Sequence, residues 1–213
     1  MTTPTFIANR VGPVTQADGT YGQPRSDKTG AGVVTQAHGK YYEAAHRGVL
    51  FSACEQGTGI APGTALGTTA LLSLYNPTGS GKRLVIKKVA VGYISGTLGA
   101  GTLYHCVNST TTQTAPSGGT LLTTQPSDVG NAPASVGVAR VNSTVVQPLA
   151  YRPLAIIGAA TAALTAFPAV CFEDVDGEIV IEPGCSYQLQ AVAAAGTSPK
   201  VSPSVTWEEA TVV

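Results

Sequence analysis

The sequence predicts an all-β protein, a sandwich or barrel of at least eight strands over residues 49–213, behind an extended N-terminal arm of residues 1–48. Three observations carry this. From residue 49 onward, short β-branched or alternating runs recur, each bounded by Gly, Pro, Asn or Ser, which is the pattern of strands and turns. Charged residues make up 11% of the 213, against ~25% in an average soluble domain, while apolar residues reach 43% and suffice for a core. Before residue 49 the apolar residues never gather into a sustained run, so that part reads as an arm and not as a second core.

The arm is punctuated by Gly12-Pro13, Asp18-Gly19, Gly30-Ala31-Gly32 and His38-Gly39, each a turn signal. It keeps Phe6, Ile7, Tyr21, Tyr41 and Tyr42, so its composition is not that of a disordered tail. One phrase is written twice: VTQADGTY at 14–21 returns as VTQAHGKY at 34–41, with six of eight letters unchanged. V-T-Q-A is a short extended segment, x-G-x turns the chain, and Tyr lands after the turn as an amphipathic anchor. Two such units fit an arm that docks on neighbouring subunits by strand addition, or two strands that pair with each other. YYEAAHRG at 41–48 predicts one helical turn ending at Gly48. Arg10, Tyr21, Arg25, Tyr41, Tyr42 and Arg47 are the candidate partner-contact residues, because Arg and Tyr concentrate where interfaces bind most strongly.

The strand candidates follow in order: GVLFSAC (48–54), ALLSLYNP (70–77), RLVIKKVAVGYI (83–94), GTLYHCVN (101–108), ARVNSTVVQPLAY (139–151), AVCFED (169–174), GEIVIEP (177–183), SYQLQAVAA (186–194) and SVTWEEA (204–210). SYQLQAVA alternates well and RLVIKKVAVGY only in part. The stretch 109–138 reads as loops at one end of the sandwich, of the length that often carries recognition. LAIIGAATAALTAFPAV (154–170) is too short and too rich in Ala and Thr for a membrane span and reads as buried strand or short helix.

Net charge is zero, with 12 basic and 12 acidic side chains, which speaks against a nucleic-acid binder. The distribution is uneven: residues 61–170 hold six basic and one acidic side chain, residues 171–213 one basic and seven acidic. Such segments pair within one domain or across a subunit boundary, and the first is the expectation. So low a charge fits either a surface covered by copies and partners or a turn-rich β protein that tolerates it.

Chemistry-bearing motifs are sparse. GSGK (79–82) resembles part of a phosphate loop, but Asn76 stands where Gly is needed and Arg83 where Ser or Thr is needed, so NPTGSGKR reads as a hairpin loop. Glu173, Asp174, Asp176 and Glu178 offer oxygen ligands without the full calcium loop, and alternation would put 174, 176 and 178 on one strand face. His38, His46 and His105 do not form an H-x-H metal motif, and no Ser sits in a G-x-S-x-G elbow. Cys54, Cys106, Cys171 and Cys185 lack C-x-x-C spacing and read as reduced, buried thiols. A Cys–His pair meeting only in space is left open. No catalytic, cofactor-binding or metal residue is assigned, and the chain is expected not to be an enzyme. Asn108-Ser-Thr and Asn142-Ser-Thr match glycosylation acceptors and, with no secretion signal pattern in MTTPTFIANRVG, read as turn residues.

Taken together, SDKTGAGVVTQAHGKYYEAAHRGVLFSA, LLSLYNPTGSGKRLVIKKVAVGYISGTLGAG and IVIEPGCSYQLQAVAAAGTSPKVSPSVTWEE resemble, in texture and phrase order, structural proteins of tailed-bacteriophage virions. The resemblance covers most of the chain from about residue 27. It implies a jelly-roll β-sandwich, often trimeric, of the capsid decoration or cement type, made in the host cytoplasm and carried on the virion. The implied partners are copies of itself and the major capsid protein or other virion subunits, with no nucleic acid and no membrane. The alternative is a phage tail or fibre protein, or a receptor- or glycan-binding module using loops 109–138.

Overall fold

The computed structural model describes residues 39–108, 113–131, 133–146, 148–157 and 171–211. The chain divides into two compact units, Met1–Lys40 and Tyr41–Val213. Arg10, Tyr21, Arg25 and the first copy of the repeated phrase lie outside the described residues, as does the second copy up to His38.

The second unit opens with one helical turn, α1 (Tyr42–His46), and the chain leaves it through Gly48 at φ 67°, a backbone that favours glycine. Among the described residues twelve strands follow: β1 (Leu50–Cys54), β2 (Thr69–Tyr75), β3 (Lys82–Ser95), β4 (Gly101–Val107), β5 (Thr120–Leu121), β6 (Thr124–Pro126), β7 (Val138–Thr144), β8 (Leu149–Ile157), β9 (Cys171–Asp174), β10 (Val180–Ile181), β11 (Ser186–Ala193) and β12 (Lys200–Thr211). They form two antiparallel sheets. Sheet 1 runs β10-β3-β12-β1-β6, with β9 also on β3; sheet 2 runs β5-β7-β2-β11-β4-β8. From β1 to β4 each strand lies in the sheet opposite the one before it, and the same is true from β10 through β12. The first and last long strands, β1 and β12, pair side by side. This is a jelly-roll sandwich, and β5, β6 and β7 widen it on the β1–β2 side.

The interior is built by alternation. In sheet 2, Leu72 faces Leu189 and Leu74 faces Tyr187 across the β2–β11 ladder, and all four are buried. In sheet 1, Phe51 pairs with Trp207 and Ala53 with Val205, and the Phe51 and Trp207 rings lie 6.2 Å apart. β3 explains its own irregular sequence. Leu84 and Ile86 are buried, then Val89 and Val91, so the apolar phase jumps by one between them. The ladder to β12 absorbs the jump: Trp207 pairs with Ile86 and Thr206 with Lys88, leaving Lys87 as the extra residue of a β-bulge.

Four expectations are corrected. ARVNSTVVQPLAY is two strands, β7 and β8, separated at Val145–Pro148. Residues 154–157 belong to β8, an edge strand on which Ile156 is 82% exposed, so this part of the apolar run is not wholly buried; 158–170 lie outside the described residues. The stretch 109–138 is not all loop, because β5 and β6 within it pair with β7 and β1 and extend both sheets. β12 also starts earlier than the pattern indicated and runs through Pro203, which pairs with Val91.

Candidate functional site

The densest set of ionisable groups among the described residues lies between the sheets, where β8 of sheet 2 and β9 of sheet 1 are edge strands. His105 on β4 shares the inward face with its ladder partner Leu189 on β11. Glu173 on β9 pairs with the buried Val89 and therefore points inward from the other sheet. Arg152 comes from β8, beside His105. The distances define a chain. His105 Nδ1 lies 2.8 Å from the Tyr187 hydroxyl, and Nε2 lies 3.2 Å from Glu173 Oε2. Arg152 donates to Glu173 Oε1 and to Glu178 Oε2 (3.1 Å), and the Tyr151 hydroxyl donates to Glu178 Oε1 at 3.1 Å.

Proton positions follow from the donors available. A carboxylate only accepts, so Nε2 carries the hydrogen, Nδ1 is the acceptor, and Tyr187 donates to it. This is the neutral imidazole. Burial pulls the His105 pKa below its ordinary 6.5, against the hydrogen bond and charge of Glu173, which raise it. Burial pushes the Glu173 carboxyl up, but the hydrogen bonds from Arg152 and His105 outweigh it and hold the group below its ordinary value. Tyr187 is fully buried and pushed well above the usual phenol range by desolvation. His105 and Tyr187 are both wholly covered, so the pair holds a proton between the sheets where no substrate reaches it. The arrangement ties three strands of sheet 2 to one of sheet 1.

A buried carboxylate, Glu209 on β12, grips the chain before β7. Its Oε1 accepts from Ser135 Oγ (2.7 Å) and the Val136 N–H (2.8 Å), and its Oε2 takes Lys82 Nζ at 2.7 Å. Lys82 is the lysine of GSGK, so its ammonium is engaged by protein. The rest of that loop is stapled by Asn76, which donates to Lys82 O and Ile181 O and accepts from Ser80. The loop is not a hairpin, however: β2 and β3 lie in different sheets, and NPTGSGKR carries the chain across.

The acidic cluster is dispersed. β9 ends at Asp174, and Asp176 sits at φ 59° in the following turn, so 174, 176 and 178 do not share a strand face. Asp174 meets Lys88 at 3.5 Å, while Glu173 and Glu178 share Arg152. Among the described residues no group of three or more His, Cys, Asp or Glu is placed to hold a metal. His105 meets no cysteine, and burial raises the thiols of Cys106 and Cys171 to about 11, which keeps both protonated at neutral pH. Cys54 corrects the expectation of buried thiols, since it is exposed.

Of the arm residues, Tyr41 lies on its own sandwich: its hydroxyl donates to Asp176 Oδ1 at 3.1 Å and its ring lies 5.0 Å from Lys88 Nζ. Lys88 also stands 5.3 Å from the Phe172 ring. Tyr42 stacks on His46 at 5.8 Å, and Arg47, just past the end of α1, pairs with Glu43. The inter-sheet chain was missed in the sequence because its members are spread from 105 to 187. The one signal was a His in the inward phase of an otherwise apolar strand.

The open depression lined by residues 61–71 and Asn142, of about 320 Å³, contains no charged side chain. Another, of about 250 Å³, holds Cys54 and Glu55, whose carboxylate accepts from the Gly59 N–H at 3.1 Å. Among the described residues no helix is long and apolar enough to cross a membrane. No protein-family model, no curated protein and no solved structure matches the chain.

Proposed function

We propose that this chain is a non-enzymatic virion structural protein, a capsid decoration (cement) protein that oligomerises through its jelly roll as a trimer and fastens to the capsid lattice through its N-terminal arm. One observation carries the reading: the ionisable side chains of the sandwich are turned on one another. Lys82, Arg83, Lys87, Lys88 and Arg152 from the basic middle of the chain pair with Glu209, Glu182, Glu208, Asp174 and the Glu173–Glu178 pair from its acidic end. Several of these pairs lie at the surface, Arg83–Glu182 and Lys88–Asp174 among them, so the sandwich presents these charges as matched pairs, which suits packing against protein. Tyr41 fixes the root of the arm on the sandwich, and the phrase order resembling tailed-phage virion proteins supplies the assembly.

The test compares the full-length protein with its Arg10→Ala/Tyr21→Ala/Arg25→Ala variant. Native mass measures the oligomer, and sedimentation with assembled particles of the major capsid protein measures attachment. The reading expects a trimer from both proteins and attachment by the wild type alone. A monomeric wild type, or a variant that attaches as well as wild type, overturns it. Attachment to host cells in place of particles supports the receptor-binding alternative.

A further inference from the structure

We propose that the His105–Glu173 contact is an acid-operated latch: uptake of one proton at His105 frees β9 from sheet 2 and opens the seam between β8 and β9 before the sandwich as a whole unfolds.

The geometry makes this seam the place where a proton acts. Among the described residues β9 spans Cys171–Asp174 and pairs with β3 alone, which puts it at the edge of sheet 1. Across the seam Glu173 holds it by two contacts, to His105 and to Arg152. The groups facing His105 come from four elements: Tyr187 on β11, Arg152 on β8, Glu173 on β9, and Glu178 beyond it. All hydrogen positions in this chain are fixed while His105 is neutral. A second proton, at Nδ1, meets the hydrogen that Tyr187 already donates there. The Tyr187 hydroxyl then has to turn within a fully buried site, and the imidazolium charge lies beside Arg152. Arg152 carries donors only, one of them, Nε, buried without a partner among the described residues, so it offers the new N–H no acceptor. Opening the seam gives the protonated ring water instead.

The sign follows from linkage. Burial lowers the His105 pKa in the closed state below the 6.5 it has when exposed. The open state therefore binds the proton first, and closure weakens as pH falls below 6.5 toward the closed-state value. With at most one proton taken up on opening, the opening constant of β9 rises by up to about tenfold per pH unit in that window. Glu173, also depressed, adds its own loss only below 4.5.

The experiment is native-state amide hydrogen exchange on the full-length protein between pH 7.5 and 5.0, corrected for intrinsic rates, with the His105 ring signal titrated by NMR in parallel. The expected result is a progressive loss of protection in β9 as pH falls below 6.5, at most about tenfold per pH unit, with β11 and β12 unchanged. In the His105→Gln variant, whose amide can accept from Tyr187 and donate to Glu173 without titrating, the pH dependence above 5 disappears. If β9 protection is independent of pH, if β9 and β12 lose protection together, or if His105→Gln keeps the wild-type pH dependence, the latch is overturned. Should His105→Gln not fold, the wild-type ring titration decides: a ring that titrates at 6.5 or above, or β9 protection that does not fall below 6.5, overturns it.

Discussion

Glu209 shows how a single buried charge becomes structure. Its side chain is wholly covered, yet its two oxygens receive Lys82, Ser135 and the Val136 N–H. Burial raises its pKa, and these donors together outweigh that and lower it. Replacing it with Ala leaves the donors unmatched, and we expect a loss of about 2–3 kcal/mol in urea unfolding at pH 7. The pH dependence has a definite sign. A carboxyl depressed in the folded state contributes stability that is present above its ordinary 4.5 and is lost as pH falls through the folded value. Wild type should therefore lose more stability than Glu209→Gln between pH 6 and 3. A second residue-scale constraint lies beside it. A Cβ on Gly137 would stand 2.9 Å from Trp207 Nε1, so Gly137→Ala overpacks the ring. The expected cost is about 1–3 kcal/mol, read by thermal unfolding, with a changed emission from Trp207, the only tryptophan in the chain.

At the scale of an element, β3 tests whether a bulge or a residue count sets the face of a strand. Deleting Lys87 brings Leu84, Ile86, Val89 and Val91 into strict alternation opposite a β12 that already alternates. We expect such a protein to fold, with the far-ultraviolet signal of wild type. It loses the Lys87–Glu208 pair, and the Asp176 N–H loses the Lys87 carbonyl that it bonds at 3.0 Å. Faster amide exchange confined to Val175–Gly177 is the expected outcome, and global unfolding would refute it. This strand also shows where the sequence was legible. Runs with a clean period of two, such as SYQLQAVA, gave β11 nearly to the residue, and Gly48 marked the end of α1. The middle of RLVIKKVAVGY was ambiguous because the bulge that resolves it is a property of the pair with β12. β7 and β8 merged in the reading because Val145–Pro148 is as apolar as the strands around it. The inter-sheet chain was less legible still: Glu173 and Glu178 looked like one acidic patch, and only the crossing of the sheets shows that both answer Arg152.

For the whole molecule the decisive feature is the order in which the strands close. β12 is the last strand in the sequence, yet it lies between β1 and β3, pairing with β3 along its whole length and with β1 over Ser204–Glu208. It brings Val205 and Trp207 to the core, and it carries Glu208 and Glu209, which answer Lys87 and Lys82. Two of the pairs between the basic middle and the acidic end, Lys82–Glu209 and Lys87–Glu208, thus form only once β12 is in place. A chain ending at Pro199 keeps β1 and β3 but leaves them without a strand between them, with Leu84, Ile86, Phe51 and Ala53 uncovered along that ladder. Such a fragment is expected to be unfolded or aggregated at 25 °C, without dispersed amide signals. The complete chain has to pair residue 50 with residue 208, far apart in the sequence, so refolding should be slow for its size, in the range of about milliseconds to seconds or longer. Stopped-flow fluorescence of Trp207 measures this directly. Refolding within microseconds, or a fragment 1–199 with native-like amide dispersion, would show that the sandwich forms without its last strand and that the pairing of the two charged segments follows the fold instead of completing it.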